Sequence, residues 1–299
     1  MFYLKIVNSP QTVVNRLKNR IYYSVNCGLF TKNYGQFSYF YHMIIEFYKY
    51  QGTGNDFIMI DDRENEFDVD DGGLITALCE RRMGIGADGL ILLREHDVLD
   101  FEMIYFNADG KQSSMCGNGG RCIIAFAETL EMIGTETTFM AIDGEHKGKI
   151  MDDGIALQMQ DVSEIKGVGD GLVMDTGSPH YIEMVDDLEH LNVNKEGKRI
   201  RNSKEFKKEG INVNFVLDAA QLQMRTYERG VEDETLSCGT GVVATAIAMH
   251  YTNCIEDNLV SIKTKGGELT VSFEEFNGGY RNIWLIGEAS MVYTGEFEC

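Results

Sequence analysis

Positive charge is scarce in this chain of 299 residues: 27 Lys and Arg stand against 47 Asp and Glu, for a formal net charge of −20. Such a chain repels phosphate backbones, which argues against a general nucleic-acid binder. Long apolar runs are missing too; none approaches the roughly 18–20 residues of a membrane helix. Proline is nearly absent, with 2 residues against 32 glycines, so the glycines point to tight turns and close backbone approaches, not flexible linkers. Seven cysteines are too few for a disulfide scaffold at this length, and their odd number argues for reduced thiols. What remains is ordinary for a soluble globular protein, 43% hydrophobic and 25% charged. At roughly 150 residues per domain, the length suggests two domains.

Acid is absent from residues 1–42, which hold five basic residues and ten Tyr or Phe. The break in composition sets this segment apart from 43–299, whose own formal charge is −25. The segment is a poor secretory signal and fits an organelle transit peptide only loosely. Met43 opens a β-like run through Tyr50, so it is expected to be the true initiator, with 1–42 translated from upstream sequence or disordered.

The body is written twice. Thr53-Gly54-Asn55-Asp56-Phe57 is echoed by Thr176-Gly177-Ser178-Pro179-His180, Gly84-Ile85 by Gly210-Ile211, and Cys116-Gly117-Asn118-Gly119 by Cys238-Gly239-Thr240-Gly241. The offsets, 123, 126 and 122, are nearly constant. Two like halves are therefore expected, 43–160 closed by a returning strand at 286–299, and 161–285. Short β-like runs dominate both: Phe57–Ile60, Leu90–Leu93, Phe101–Tyr105, Val213–Val216 and Leu222–Tyr227. After each Cys-Gly-x-Gly comes an Ala-containing apolar stretch, Arg121–Ile133 with Gly134 as its expected C′ residue, and Val242–Met249. A helix apolar all round is a buried one. The expected fold is α+β: two pseudo-symmetric domains, each a curved, mostly antiparallel β-sheet wrapped around a central helix.

Cys116 and Cys238 fall at the starts of the two expected helices. A helix start offers unpaired N–H groups and a positive dipole end, which suits a carboxylate and is expected to lower a thiol pKa. If pseudo-twofold packing brings both starts to one cleft, an amino-acid carboxylate takes N–H donors from both sides. One thiolate can then remove the α-proton while the opposite thiol supplies a proton to the other face. The reaction is racemisation or epimerisation, without metal, flavin or pyridoxal phosphate.

Six blocks in order carry a resemblance that covers essentially all of 43–299: Gly52–Phe57, Arg82–Gly89, Asn107–Gly110 leading to Met115–Cys122, Gly177–His180, Ile211–Phe215, and Arg225–Gly230 leading to Cys238–Gly241. On these residues the chain resembles the diaminopimelate epimerase family. The resemblance implies interconversion of LL- and meso-diaminopimelate in lysine and cell-wall precursor synthesis. It also implies a cytoplasmic, cofactor-independent enzyme, usually a homodimer; the acidic charge and the short apolar runs argue against a nucleic-acid or membrane partner. Residue by residue, it makes Cys116 and Cys238 the catalytic pair. It assigns Gly117, Asn118, Gly239 and Thr240 to the reacting carboxylate. Asn107, Asn212, Glu228 and Arg229 read the far end of the substrate, while Asn55, Ser178, Asp109 and His180 match positions near the site. Ser178 departs from the Asn usual before Pro-His, and the segment between Glu228 and Cys238 is one residue longer than usual, which points to a bulged surface loop near Glu232-Asp233. Cys27, Cys79, Cys122, Cys254 and Cys299 carry no metal-like spacing and read as packing or incidental thiols. Two other readings stand beside this one: a related two-cysteine enzyme for proline, hydroxyproline or histidine, and an inactive amino-acid-binding protein.

Overall fold

A computed structural model describes residues 3–7, 22–25, 41–113 and 115–298. The chain begins with strands β1 (Tyr3–Val7) and β2 (Tyr22–Val25). The first half continues with β3 (Tyr41–Gly52), β4 (Asn55–Asp61), helix α1 (Gly72–Cys79), β5 (Gly89–Arg94), β6 (Phe101–Asn107), α2 (Gly117–Thr129), β7 (Glu136–Ala141), β8 (Gly144–Met151) and β9 (Gly154–Gln158). The second half holds β10 (Ile165–Val168), β11 (Gly171–Asp175), β12 (Pro179–Met184), α3 (Val193–Arg201), β13 (Asn212–Leu217), β14 (Leu222–Glu228), β15 (Asp233–Thr235), α4 (Gly239–Tyr251), β16 (Leu259–Lys263), β17 (Glu268–Phe276) and β18 (Gly279–Gly287). Strand β19 (Ser290–Glu298) closes the chain.

The fold is α+β, and its pairing pattern repeats. In the first half the order is β19–β3–β4–β5–β6–β7–β8–β9, with parallel contacts only at β4–β5 and β6–β7. In the second half it is β10–β11–β12–β13–β14–β16–β17–β18, parallel only at β12–β13 and β14–β16. The halves join through the antiparallel pair β9–β18. The strand runs read from the sequence fall inside β3, β4, β5, β6, β13 and β14. Most of residues 1–42 lies outside the described residues; the two described segments pair as β1 with β19 and β2 with β3.

Each long helix is enclosed by its own half's strands. Helix α2 packs on β3, β4, β5, β8 and β9, and α4 on β11 to β14 and β16 to β18. Side chains all round α4 are buried, from Gly239 through Met249 save Thr240. The apolar stretches therefore form helices because every face meets a sheet. Both helices start at the glycines after each cysteine, so Cys116 and Cys238 stand at the helix starts as expected. The expected stop at Gly134 does not hold: α2 ends at Thr129, and Glu131 takes the left-handed turn with φ 56°. Helices α1 and α3 were not legible as helices; Asp71 and Asn192 cap them, accepting from Leu74 N and Lys195 N. Among the described residues no helix is long and apolar enough to cross a membrane.

Candidate active site

The two helix starts meet. A Cβ placed on Gly117 would lie 3.9 Å from the Cα of Gly239, and one on Gly239 would lie 3.8 Å from the Cα of Gly117. Leu285 of β18, beside the joint of the halves, sits against both glycines. Its Cδ2 would be 3.3 Å and 2.8 Å from those two Cβ positions. Glycine at both positions leaves the helix starts in backbone contact and leaves room for the Leu285 side chain beneath them. Cys116 and Cys238 are the N-caps of α2 and α4, both with extended backbone, and neither side chain caps its helix. Their carbonyls accept the first helical bonds, from Gly120 N at 2.7 Å and Val242 N at 2.9 Å. The N–H groups of the intervening residues stay without intrahelical partners, and those of Asn118, Gly119 and Gly241 act on the neighbouring cysteines.

The thiols do not show the expected fall in pKa. Burial pushes Cys116 up, against the N–H groups of Gly119 and Asn118, which favour its thiolate. Cys238 is pushed up to about 12, mainly by burial and by the nearby Glu228 carboxylate, against the Thr240 hydroxyl and the Gly241 N–H. In a water-poor site, desolvation of a thiolate outweighs a few oriented N–H donors. Glu228 raises both thiols and is itself raised by burial. Both cysteines are free thiols.

On the first-half side a chain of amides lies behind Cys116. The buried Arg121 donates to Asn118 Oδ1 at 3.0 Å and to Thr53 Oγ1. Asn118 Nδ2 donates to Asn55 Oδ1 at 2.5 Å, and Asn55 Nδ2 to Asp88 Oδ2 at 2.9 Å. Asp88 is held in turn by Arg81 at 2.6 Å.

The second-half side is built on His180. Its Nε2 lies 2.9 Å from Thr240 Oγ1, which is 3.5 Å from Cys238 Sγ. Its Nδ1 lies 3.0 Å from Asn214 Nδ2, and Asn214 Oδ1 accepts from Thr226 at 2.9 Å. Asn214 Nδ2 donates here, so Nδ1 accepts and Nε2 carries the proton toward Thr240. Burial depresses the His180 pKa to about 3 and keeps the ring neutral. A Cβ on Gly241 would come within 2.5 Å of Asn214 Oδ1, so this network also needs a glycine.

Part of the expected far-end set comes together. Ser178 Oγ accepts from Asn212 Nδ2 at 2.8 Å and from Arg229 Nη2 at 3.3 Å, while Asn212 Oδ1 accepts from Arg229 N at 2.9 Å. The shorter Ser178 side chain thus still links both neighbours. Asn107 and Glu228 end the corresponding strands β6 and β14. Asp109 is exposed and pairs with Lys111 at 2.7 Å, with no contact to the cysteines. The segment after Glu228 turns at Gly230 and Glu232, with φ 93° and 59°, and Glu232 reaches Arg201. A cavity of about 440 Å³ opens beside Gln51, Thr53, Gly266 and Ile286, but neither cysteine lines it.

Sequence reading gave no role to Thr53, Asp88, Arg121, Asn214 or Thr226. Arg121 did leave a signal: a cation inside an otherwise apolar helix demands an explanation.

The fold belongs to a class of solved structures. A phenazine biosynthesis protein of the PhzF family from Bacillus anthracis superposes with TM-score 0.66 at 15% identity, over 86% of this chain and 99% of that one. A hydroxyproline epimerase from Agrobacterium vitis superposes with TM-score 0.59 at 14% identity, over 85% and 92%. Sequence then narrows the class. The profile of the family described as diaminopimelate epimerase matches residues 47–164 and 172–292. The diaminopimelate epimerase of Flavobacterium psychrophilum is 51% identical over 252 residues, 83% of this chain and 98% of the relative. That of Chlorobaculum tepidum is 43% identical over 258 residues, 82% and 98%. The chain belongs to the diaminopimelate epimerase family, and it is an isomerase.

Proposed function

We propose that the chain interconverts LL- and meso-diaminopimelate with Cys116 and Cys238 as the acid–base pair, without a cofactor, in lysine and cell-wall precursor synthesis. The single observation that carries this reading is the meeting of two cysteine-capped helix starts at Gly117 and Gly239. The substrate carboxylate binds the N–H groups of Gly117, Asn118, Gly239 and Thr240. One sulfur, as thiolate, takes the α-hydrogen as a proton; the electron pair left on carbon delocalises into the carboxylate as an enediolate. The helix N–H groups stabilise that charge. The opposite thiol then gives its proton to the other face of the carbon, so the pair exchanges protonation states with each turnover.

The far end of the substrate is read by Arg229, Asn212 and Ser178 on its carboxylate side, and by Glu228 and Asn107 on its ammonium side. Arg229 suits a carboxylate by its paired donors. Asn55 supports Asn118, and His180 holds Thr240 beside Cys238. The residues of each lobe also gather into separate core clusters, which supports the division into 43–160 with 286–299, and 161–285. The family resemblance further supports a cytoplasmic homodimer, which light scattering on the purified chain tests.

Incubation with LL-diaminopimelate, proline, hydroxyproline and histidine in deuterated water tests the reaction. The expected outcome is α-deuterium incorporation and inversion with diaminopimelate alone. Exchange only with a proline-like substrate, or with none, overturns the reading.

A further inference from the structure

We propose that Arg121 breaks the symmetry of the two thiols: it is a positioning residue that makes Cys116 the more readily ionised of the pair and leaves Cys238 the one that keeps its proton. The two helix starts are otherwise alike, yet a proton-transfer pair must begin with its members in opposite states. Five residues after Cys116 stands Arg121, and five after Cys238 stands Val243, both fully buried. Only the first half therefore puts a cation behind its cysteine.

Arg121 is an unusual cation. No part of its side chain reaches water, and among the described residues it forms no ion pair with a carboxylate. Its guanidinium donates to neutral oxygens alone: Gly117 O at 3.2 Å, Asn118 Oδ1 at 3.0 Å and Thr53 Oγ1. Among the described residues its Nε has no hydrogen-bond partner. Burying an unpaired cation is unfavourable, and an anion nearby offsets that cost. The anionic groups that interact with it are thiols, Cys116 and Cys122. Cys122 lies within the core and is pushed up to about 12 by burial. Cys116 is half-buried at the helix junction, and Arg121 favours its thiolate. Of the other titratable groups facing Cys116, the Glu228 carboxylate from β14 opposes a negative charge there, whereas Tyr105 from β6 and Cys238 from α4, both pushed up mainly by burial, carry no charge to oppose it while they keep their protons. The charges that weigh most on Cys238, Glu228 and then Cys116, both oppose its thiolate. The bond to Gly117 O fixes the charge one residue from Cys116, and the amide chain through Asn118 and Asn55 to Asp88 keeps the fork from turning.

The inference takes the two cysteines as the reacting pair, as proposed above, but its test needs no substrate, so either can fail alone. The full chain is labelled briefly with iodoacetamide across a pH series, and each cysteine peptide is quantified by mass spectrometry. The pH midpoint of labelling is read in place of the rate, because the two sulfurs differ in access. The expected midpoint for Cys116 lies at least about one pH unit below that of Cys238, a tenfold difference in thiolate at one pH. Arg121→Gln, which keeps hydrogen bonding without charge, should raise the Cys116 midpoint by a similar amount and leave that of Cys238 unchanged. Arg121→Lys should restore most of the gap. Equal midpoints in the wild type, or a lower one for Cys238, overturn the proposal whether or not the variants fold. So does a folded Arg121→Gln variant with an unaltered Cys116 midpoint, or one in which both midpoints move together.

Discussion

Two sulfur atoms carry the proposed chemistry, and their surroundings make them reluctant anions. Replacing Cys116 or Cys238 by Ser should lower epimerisation by about a hundredfold or more, the scale of a lost acid–base group, while Cys254→Ser, at an exposed helix end, should leave turnover unchanged. Chiral chromatography of the product checks both. Because burial raises both thiols, the active form with one thiolate grows as pH rises. The value of kcat/KM should therefore still be climbing at the ordinary thiol pKa; a plateau near neutral pH would mean that no raised thiol limits the free enzyme. His180 and Asn214 support this chemistry from behind. Asn214→Ala strips the ring of one partner and leaves Thr226 Oγ1 without its acceptor. A loss of about 1–3 kcal/mol in urea unfolding is expected, the cost of orphaned buried polar groups.

Elements matter here through how closely two helices approach. Gly117 and Gly239 put the backbones of α2 and α4 in contact above Leu285. Gly239→Ala drives a methyl to within 2.8 Å of the Leu285 side chain. The nearest backbone atom, the Cα of Gly117, stays in ordinary contact at 3.8 Å, so the Leu285 side chain gives way first, and kcat should fall by about tenfold as that support under the helix starts shifts. Gly134→Ala is the control: a Cβ there meets nothing within 4 Å, so activity should be unchanged and stability altered by no more than about 1 kcal/mol. Equal kinetics for the two variants would show that the close approach is not needed.

Across the whole molecule, stability should respond to pH through a buried ring. His180 has a pKa of about 3 when folded, against 6.5 for a free side chain. Between those values the unfolded chain binds a proton that the folded one does not. Stability contributed by the neutral ring is therefore full above about 6.5 and lost as pH falls toward 3, by at most about 1.4 kcal/mol per pH unit. Urea unfolding at pH 7, 6 and 5 should give a steeper decline for the wild type than for His180→Gln. Parallel declines would assign the acid sensitivity to other groups.

The sequence by itself determined the repeat, the strands around Phe57, Leu90, Phe101, Val213 and Leu222, the two buried helices and the family. These are local or periodic properties: alternation, apolar runs and glycine motifs are written in consecutive residues. It also singled out Cys116 and Cys238, because a repeated Cys-Gly-x-Gly is visible without a fold. Tertiary structure decided what depends on distance and dielectric. It put Gly117 against Gly239, gathered Ser178, Asn212 and Arg229 across β12, β13 and the end of β14, and left Asp109 at the surface. It reversed the expected direction of the thiol pKa values, since a helix start alone favours a thiolate but its burial does not. It also gave Arg121 a role: a charge in an apolar helix is only an oddity in the sequence, and becomes an unpaired cation behind one of two thiols once the chain is folded.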